Sequence, residues 1–347
     1  MTSADGAPRP VASVLFLAYN HEAFVEDALR SALRQDVGGF ELVIVDDAST
    51  DRTRARIEQV LARETPAGVS VRRIFKERNE GLLSAVNAAM AAATGDIFML
   101  MAGDDLSLPY RLGRTLRIFA EHPSVQLVYG GKQTIDEAGR PRPMSSAKPS
   151  RRFSYGRGRL GAIYAEASPF GASAAYRRGL FDFFGPMGAG THGEDNCYWV
   201  RALLLGEIHW EPALFVQWRQ HSGNLSNFTS DVENAAWRRR HLVWMHLHAT
   251  MSPQWLKDIG RARSAGVISS WRAFRLSVAA LREDRSWALA VSSLRVDPWG
   301  RWLGHGLRLL LTGRLSTTFR QFKVRISRRR QERIWRFWAN LKTNPAD

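Results

Sequence analysis

Acidic residues recur in this sequence as adjacent pairs at the edges of short apolar runs. Asp46 and Asp47 close the run at 40–45. Asp104 and Asp105 follow the run at 96–101 and a glycine, Gly103. Glu194 and Asp195 stand just before the apolar stretch 198–205. Carboxylate oxygens are the ligands hard divalent cations such as Mn2+ or Mg2+ prefer, often one or two of them together with substrate phosphates. Gly103 would let backbone or phosphate approach closely. The plainer reading of Asp104 and Asp105 is a charged turn before a helix opened by Pro109. Glu194 and Asp195 could serve as a general base toward a hydroxyl, or simply cap a helix. Arg219 and His221, in Trp218-Arg219-Gln220-His221, suit anionic oxygen or a metal, or a structural role.

These residues need elements to carry them, and the first part of the chain alternates two kinds. Runs at 12–17, 40–45, 69–75, 96–101 and 125–129 read as strands. Segments at 21–34, 51–63, 82–93 and 109–121 read as helices. Such alternation predicts βαβ units and a mostly parallel sheet flanked by helices. Ligands bind beyond the carboxyl ends of strands in such sheets. Tyr19 and Asn20, Asp46 and Asp47, and Asp104 and Asp105 all fall there. One such site is ordinary turn chemistry, but three in succession favour a binding edge. Residues 140–159, rich in Pro, Ser, Gly and Arg, read as a surface connection, and a second αβ section runs to about Gln220.

The bulk numbers narrow the class. The 347 residues fit one large domain or two. A single cysteine, Cys197, excludes an internal disulfide framework and agrees with a reducing compartment. Residues 1–10 are short and polar, unlike a secretory leader, and the chain has no apolar run long enough for a spanning helix. The net charge of +16 is unevenly divided: residues 231–347 hold 23 Lys and Arg against 8 Asp and Glu, and nine of the twelve tryptophans. That split sets a boundary near Ser230, giving domains at 1–230 and 231–347.

In order and spacing these segments resemble the family 2 glycosyltransferases, whose fold is called GT-A. The run 13–20 ending in Tyr19-Asn20 looks like that family's first strand. The run 41–51, with Asp46-Asp47-Ala48-Ser49-Thr50-Asp51, is close to its second signature. Asn79-Glu80-Gly81 with Asn87, and then Thr94-Gly95-Asp96, match the segment before the metal motif. Ala102-Gly103-Asp104-Asp105 occupies the metal-motif position, Gly193-Glu194-Asp195 the acidic base motif, and Arg219 with His221 the downstream Arg-x-His. The resemblance spans about residues 10–228.

The resemblance implies an inverting transfer of a sugar from a nucleoside-diphosphate donor, UDP- or dTDP-linked, to an acceptor hydroxyl, in cell-surface polysaccharide or glycolipid synthesis. Tyr19 would pack on the nucleobase and Asp47 would accept its ring N–H, with Asp46 beside it. Asn20, Asn79, Gly81 and Arg219 would line the donor. Asp104 would hold Mn2+ or Mg2+ on the diphosphate with help from His221, and Asp105 would face the sugar or support the metal. Asp195 would be the base, with Glu194 the alternative. Two departures stand out: Ala102 replaces the first Asp of the usual triplet, and Val86 stands where the family often has Arg.

The C-terminal region lies outside the resemblance. Phe319, Phe322, Ile326, Ile334, Trp338 and Leu341 recur near helical spacing among arginines. Basic faces opposite Trp, Phe and Leu fit interfacial helices on an anionic membrane surface, with helices packed on the catalytic domain as the plainer alternative. The implied partners are a nucleotide sugar, a glycan or lipid-linked acceptor and such a membrane. The implied location is the cytoplasm or the periphery of the inner membrane. Oligomeric state is not specified by the sequence. Two rivals remain: a donor-binding relative without activity, prompted by Ala102, and a basic nucleic-acid-binding protein, for which no recognition motif is present.

Overall fold

The computed structural model describes residues 11–143, 149–154, 170–188, 194–224, 254–270 and 272–273. The chain divides into a unit from Met1 to Arg285 and another from Ser286 to Asp347, and every described residue belongs to the first. The helical pattern expected at 319–341 lies outside the described residues.

The first half is wound as the sequence predicts. β1 (Ala12–Ala18), β2 (Phe40–Asp46), β3 (Val69–Phe75) and β4 (Ile97–Ala102) are linked by α1 (Val25–Leu33), α2 (Thr53–Glu64) and α3 (Leu82–Ala92). β1 and β2 are buried along their whole length, which is why they read as unbroken apolar runs rather than alternating ones. β5 (Leu106–Ser107), α4 (Arg111–Glu121), β6 (Val125–Ile135), β7 (Arg151–Ser154), β8 (Ala174–Arg177), α5 (Arg178–Phe184), α6 (Glu194–Leu205) and β9 (Glu207–Arg219) complete the sheet and its cover. The described strands form one sheet in the order β3-β2-β1-β4-β8-β6-β9-β5, with β7 also paired to β9. The β3-β2-β1-β4 half is parallel. β8 runs antiparallel to both β4 and β6, so the second half is mixed.

Several boundaries differ from the sequence reading, among them a strand read at 125–129 that runs on to Ile135. The helix expected from His21 begins at Val25, because residues 21–24 form a turn in which the His21 carbonyl accepts the N–H groups of Phe24 and Val25. The helix expected from Pro109 begins at Arg111. Within 140–159, read as a surface connection, residues 151–154 instead form β7. Phe153 is buried there and β7 pairs antiparallel with β9.

Side-chain alternation along β1, β2 and β4 feeds two cores, one on each face. Val14, Phe16, Leu42, Ile44, Met99 and Met101 pack with α1, α2 and α4. Leu15, Leu17, Val43, Val45, Phe98 and Leu100 pack with α3, α5 and α6. The second core also contains Trp255, Ile259, Ala262, Ile268 and Ala273, from a stretch assigned above to the C-terminal region. These belong to a helix at 254–264, here α7, and the residues after it. Asp258 of α7 pairs with Arg201 of α6, Nε to Oδ2 at 2.8 Å, with both side chains essentially inaccessible. Among the described residues no helix is long and apolar enough to cross a membrane.

Candidate active site

The parallel order β2-β1-β4 places three strand ends side by side, and the backbone there is strained. Asn20 and Ala48 adopt φ of 52° and 63°, a left-handed conformation that asparagine tolerates and alanine does not favour. Side-chain contacts pin both turns. The Asn20 N–H donates to Ser49 Oγ at 2.9 Å, and the Thr50 N–H donates to Asn20 Oδ1 at 2.8 Å. Asp46 accepts the N–H and hydroxyl of Ser49. Asp47, 3% exposed, accepts the Gly81 N–H at 2.7 Å and pairs with Lys76 at 2.8 Å. Asn79 Oδ1 accepts the same Gly81 N–H at 3.0 Å, and Gly81 sits at φ 87°. In this structure Asn20, Asp46, Asp47 and Asn79 therefore brace one another's loops. Tyr19 is 40% exposed and takes no part in these contacts.

Beyond β4 the geometry is different. His221 Nε2 lies 3.0 Å from Asp104 Oδ2, and Asn224 Nδ2 donates to the same oxygen at 3.3 Å. A second histidine, His21, stands 3.8 Å from that oxygen on the other side. Burial raises the Asp104 pKa, but His221 and His21 outweigh it and hold the carboxyl below its ordinary value. His21 is drawn the other way: burial lowers its pKa against the pull of Asp104. Its Nδ1 is buried with no hydrogen-bond partner. Gly103 makes room for this ring, since a Cβ there would stand 2.8 Å from His21 Nδ1. Asp105 is buried and accepts the Arg219 N–H at 2.9 Å. Burial, and then the charge of Asp104, push its pKa well up. Below it Arg111 is fully buried, donating from Nη2 to Leu100 O at 2.8 Å.

Arg219, expected to line the donor, is 4% exposed, and its guanidinium donates to the carbonyls of Asp104 at 3.0 Å and Glu137 at 2.8 Å. It ties the Asp104 turn to the end of β6 and spends its donors on the chain itself. His21, Lys132 and Phe170 were not among the residues read from the sequence, and nothing in their spacing marks them. Long-range packing brings them in.

The acidic pair opens α6. Asp195 Oδ1 accepts the Asn196 N–H at 2.8 Å, and the Gly171 N–H also supports this carboxylate. Glu194 lies against Gly171, where a Cβ would overlap its Oε1. Burial and then the charge of Asp195 push Glu194 up to about 8, so near neutrality it holds a proton. Burial also raises Asp195. Gly193 of the same motif lies outside the described residues. The two halves of the site share one neighbour, Lys132 of β6, whose ammonium feels both Asp105 and Asp195.

The donor set beyond β4 fits a divalent cation in part. The Asp104 carboxylate is an oxygen ligand that suits Mn2+ or Mg2+, whereas the imidazoles of His221, paired with it at 3.0 Å, and of His21, 3.8 Å away, are ligands that softer divalent metals favour. Among the described residues no three His, Cys, Asp or Glu side chains group into a complete metal cage. Such a site would need oxygens from a substrate to complete it.

A half-parallel sheet with acidic turns beyond β1, β2 and β4 and a second acidic pair on a later helix is the GT-A arrangement. Residues 13–184, about half of the chain, match the glycosyl transferase family 2 model. An uncharacterised glycosyltransferase of Nostoc sp. is 34% identical over 140 residues, 39% of this chain and 42% of that one. A PGL/p-HBAD biosynthesis glycosyltransferase of Mycobacterium bovis is 28% identical over 278 residues, 76% of this chain and 98% of that one. The match thus spans less than half of the Nostoc relative's length. The crystal structure of S. aureus TarS residues 1–349 in complex with UDP shares the fold, with a TM-score of 0.58 at 20% identity, over 82% of this chain and 75% of that one.

Proposed function

We propose that this chain transfers a sugar from a nucleoside-diphosphate donor to an acceptor hydroxyl by a single displacement with inversion. The observation that carries the reading is the meeting of two acidic clusters at one sheet edge, Asp104 with His221 and Glu194 with Asp195, with Lys132 within reach of both fields. Tyr19 would pack on the nucleobase, and the UDP bound to TarS favours a uridine or thymidine donor. Asp104 and His221 would hold Mn2+ or Mg2+, which when bound supplies positive charge opposite the diphosphate.

The chain's own groups divide the remaining work. Asp195 takes the proton of the acceptor hydroxyl as that oxygen forms its bond to the anomeric carbon. The bond from that carbon to the diphosphate breaks, and its electron pair leaves with the diphosphate. The raised pKa of Asp195 makes it a better base than an ordinary aspartate while leaving it ionised above that pKa. Glu194, protonated at neutral pH, serves as a neutral hydrogen-bond donor rather than a second base.

The catalytic domain, read from the sequence as 1–230, is proposed to include α7, since that helix shares its core. The remaining basic region, with its clustered tryptophans, is proposed to rest on an anionic membrane on the cytoplasmic side, where glycan or lipid-linked acceptors for cell-surface polysaccharide or glycolipid synthesis would be met.

A panel of nucleotide sugars, with and without Mn2+ and assayed by nucleoside-diphosphate release, tests the proposal. Release from at least one donor is expected. Asp195→Asn should slow transfer by about 10²–10⁴-fold while leaving donor affinity unchanged. Full transfer by Asp195→Asn alongside a dead Glu194→Gln would reverse the assignment of the two acids.

A further inference from the structure

Lys132 is the one cation within reach of both acidic clusters whose charge the described residues leave uncommitted. It sits on β6 just after the Gly130–Gly131 irregularity, where the register against β9 shifts twice. Irregularities of this kind bend a strand and re-aim the side chains that follow. Gly130 is required there, since a Cβ would run into the Phe215 ring. The re-aimed lysine places its ammonium 3.7 Å from the centre of the Phe170 ring and 4.4 Å from that of Trp218. Those rings meet edge to face at 5.5 Å, forming a corner.

Aromatic faces orient a cation without neutralising it, and they accept none of its conventional hydrogen bonds. Among the described residues the ammonium makes neither a hydrogen bond nor an ion pair within 4.0 Å, although Asp105 and Asp195 lie close enough to influence it. The side chain remains open to solvent. A lysine with no role in binding would extend into water, where its charge is best hydrated. This one is held on two rings at the mouth of the site with its three N–H donors free.

We propose that Lys132 receives an anionic group, a phosphate or a carboxylate, carried by the acceptor close to its reacting hydroxyl. The assignment rests on the glycosyl-transfer reading above. The diphosphate belongs at the Asp104–His221 end, whereas Phe170 adjoins Gly171, which underlies the acidic pair. An anion on Lys132 therefore sits beside the proposed base, on the acceptor's path. Asp105 and Asp195 repel it, but the ammonium would be in hydrogen-bond contact while both carboxylates stand beyond ion-pair distance. Attraction at contact wins because the interaction falls with separation. The Phe170 and Trp218 faces would meet the apolar side of the same sugar ring.

The test titrates the full chain with glucose, glucuronate and glucose 6-phosphate by ligand-observed NMR. It uses wild type, Lys132→Met and Lys132→Arg, with UDP titrated separately into each. Wild type should bind at least one of the two anions roughly tenfold or more tightly than glucose, as expected for a charge-assisted hydrogen bond. Whichever anion is preferred names the group. Lys132→Met should abolish the preference and Lys132→Arg should keep it. Equal binding of all three sugars by wild type, or a preference that survives Lys132→Met, would overturn the proposal. The UDP titration judges the donor reading on its own: a failure there removes the uridine donor, while the anion preference keeps its separate readout. Unchanged UDP affinity in both variants shows that the substitutions leave the fold intact.

Discussion

Replacing Asp258 with alanine should destabilise the protein far from the candidate site and also slow the transfer proposed for it. Arg201 and Asp258 are 0% and 1% exposed, and the carboxylate meets the guanidinium at 2.8 Å and 3.4 Å. Without Asp258, two guanidinium nitrogens face apolar surroundings, and only Nη1 keeps its acceptor, Gly185 O at 2.8 Å. Removing one partner of a buried pair costs about 3–5 kcal/mol. That is a large fraction of the roughly 5–15 kcal/mol that holds a typical domain together. The double variant Arg201→Met with Asp258→Leu leaves no orphan charge and should recover most of the loss. Urea unfolding followed by tryptophan fluorescence reads both, since Trp199 and Trp255 are buried in this core. The kinetic effect follows from Gln254, which donates to Asp258 at 2.9 Å and accepts the Gly188 N–H at 3.1 Å, six residues before Glu194. Asp258→Ala should therefore lower turnover more than it weakens donor binding. If Asp258→Ala unfolds at the wild-type urea midpoint, α7 is no part of this core and the reasoning fails.

Three further outcomes are expected. Because Glu194 is raised from 4.5 to about 8, its protonated form adds stability that is complete below pH 4.5 and lost as pH climbs through about 8. Melting temperatures from pH 5 to 9 should thus fall in wild type relative to Glu194→Gln, and parallel curves would refute the burial of that proton. Gly171→Ala should lower transfer sharply at little cost to nucleotide affinity, because the new methyl displaces Glu194 rather than anything near Tyr19; a variant with wild-type kinetics would mean that the acidic pair tolerates displacement. Full-length protein should sediment with anionic vesicles but not neutral ones, losing this in high salt, and a chain ending at residue 285 should not sediment with either. Equal sedimentation of both chains would take the region past 285 out of the membrane account.

The sheet was legible because β1, β2 and β4 are buried on both faces, so their composition alone announces them. The acids at their ends were legible for the same reason: a carboxylate directly after a buried run has few other places to be. What the sequence could not convey is which acids remain available once the chain has folded. Asp47 and Asp104 look alike on paper. One is saturated by Gly81 and Lys76, while the other faces two imidazoles. That difference depends on loops 30 to 120 residues away, and no local pattern encodes it.

α7 was hidden for a related reason. Averaged over 231–347, charge and tryptophan content describe a basic tail, and the average hides an amphipathic segment whose apolar side is buried. Trp255, Ile259 and Ala262 recur at helical spacing, and the acid between them, Asp258, lies on the same buried side. A buried carboxylate in a basic region is the signal a local reading would have caught, because burial of Asp is tolerated only opposite a partner such as Arg201. The partner itself sits in the middle of the apolar helix α6, where an arginine is equally out of place. Each residue is an anomaly in its own segment, and together they account for each other. Arg111 poses the same puzzle one layer beneath the Asp104–Asp105 turn. Its Nε and Nη1 are buried without partners, and burial lowers its pKa to about 10 against the pull of Asp105. A charge kept there at such a cost is best understood as the counterweight that lets two adjacent acids occupy one turn.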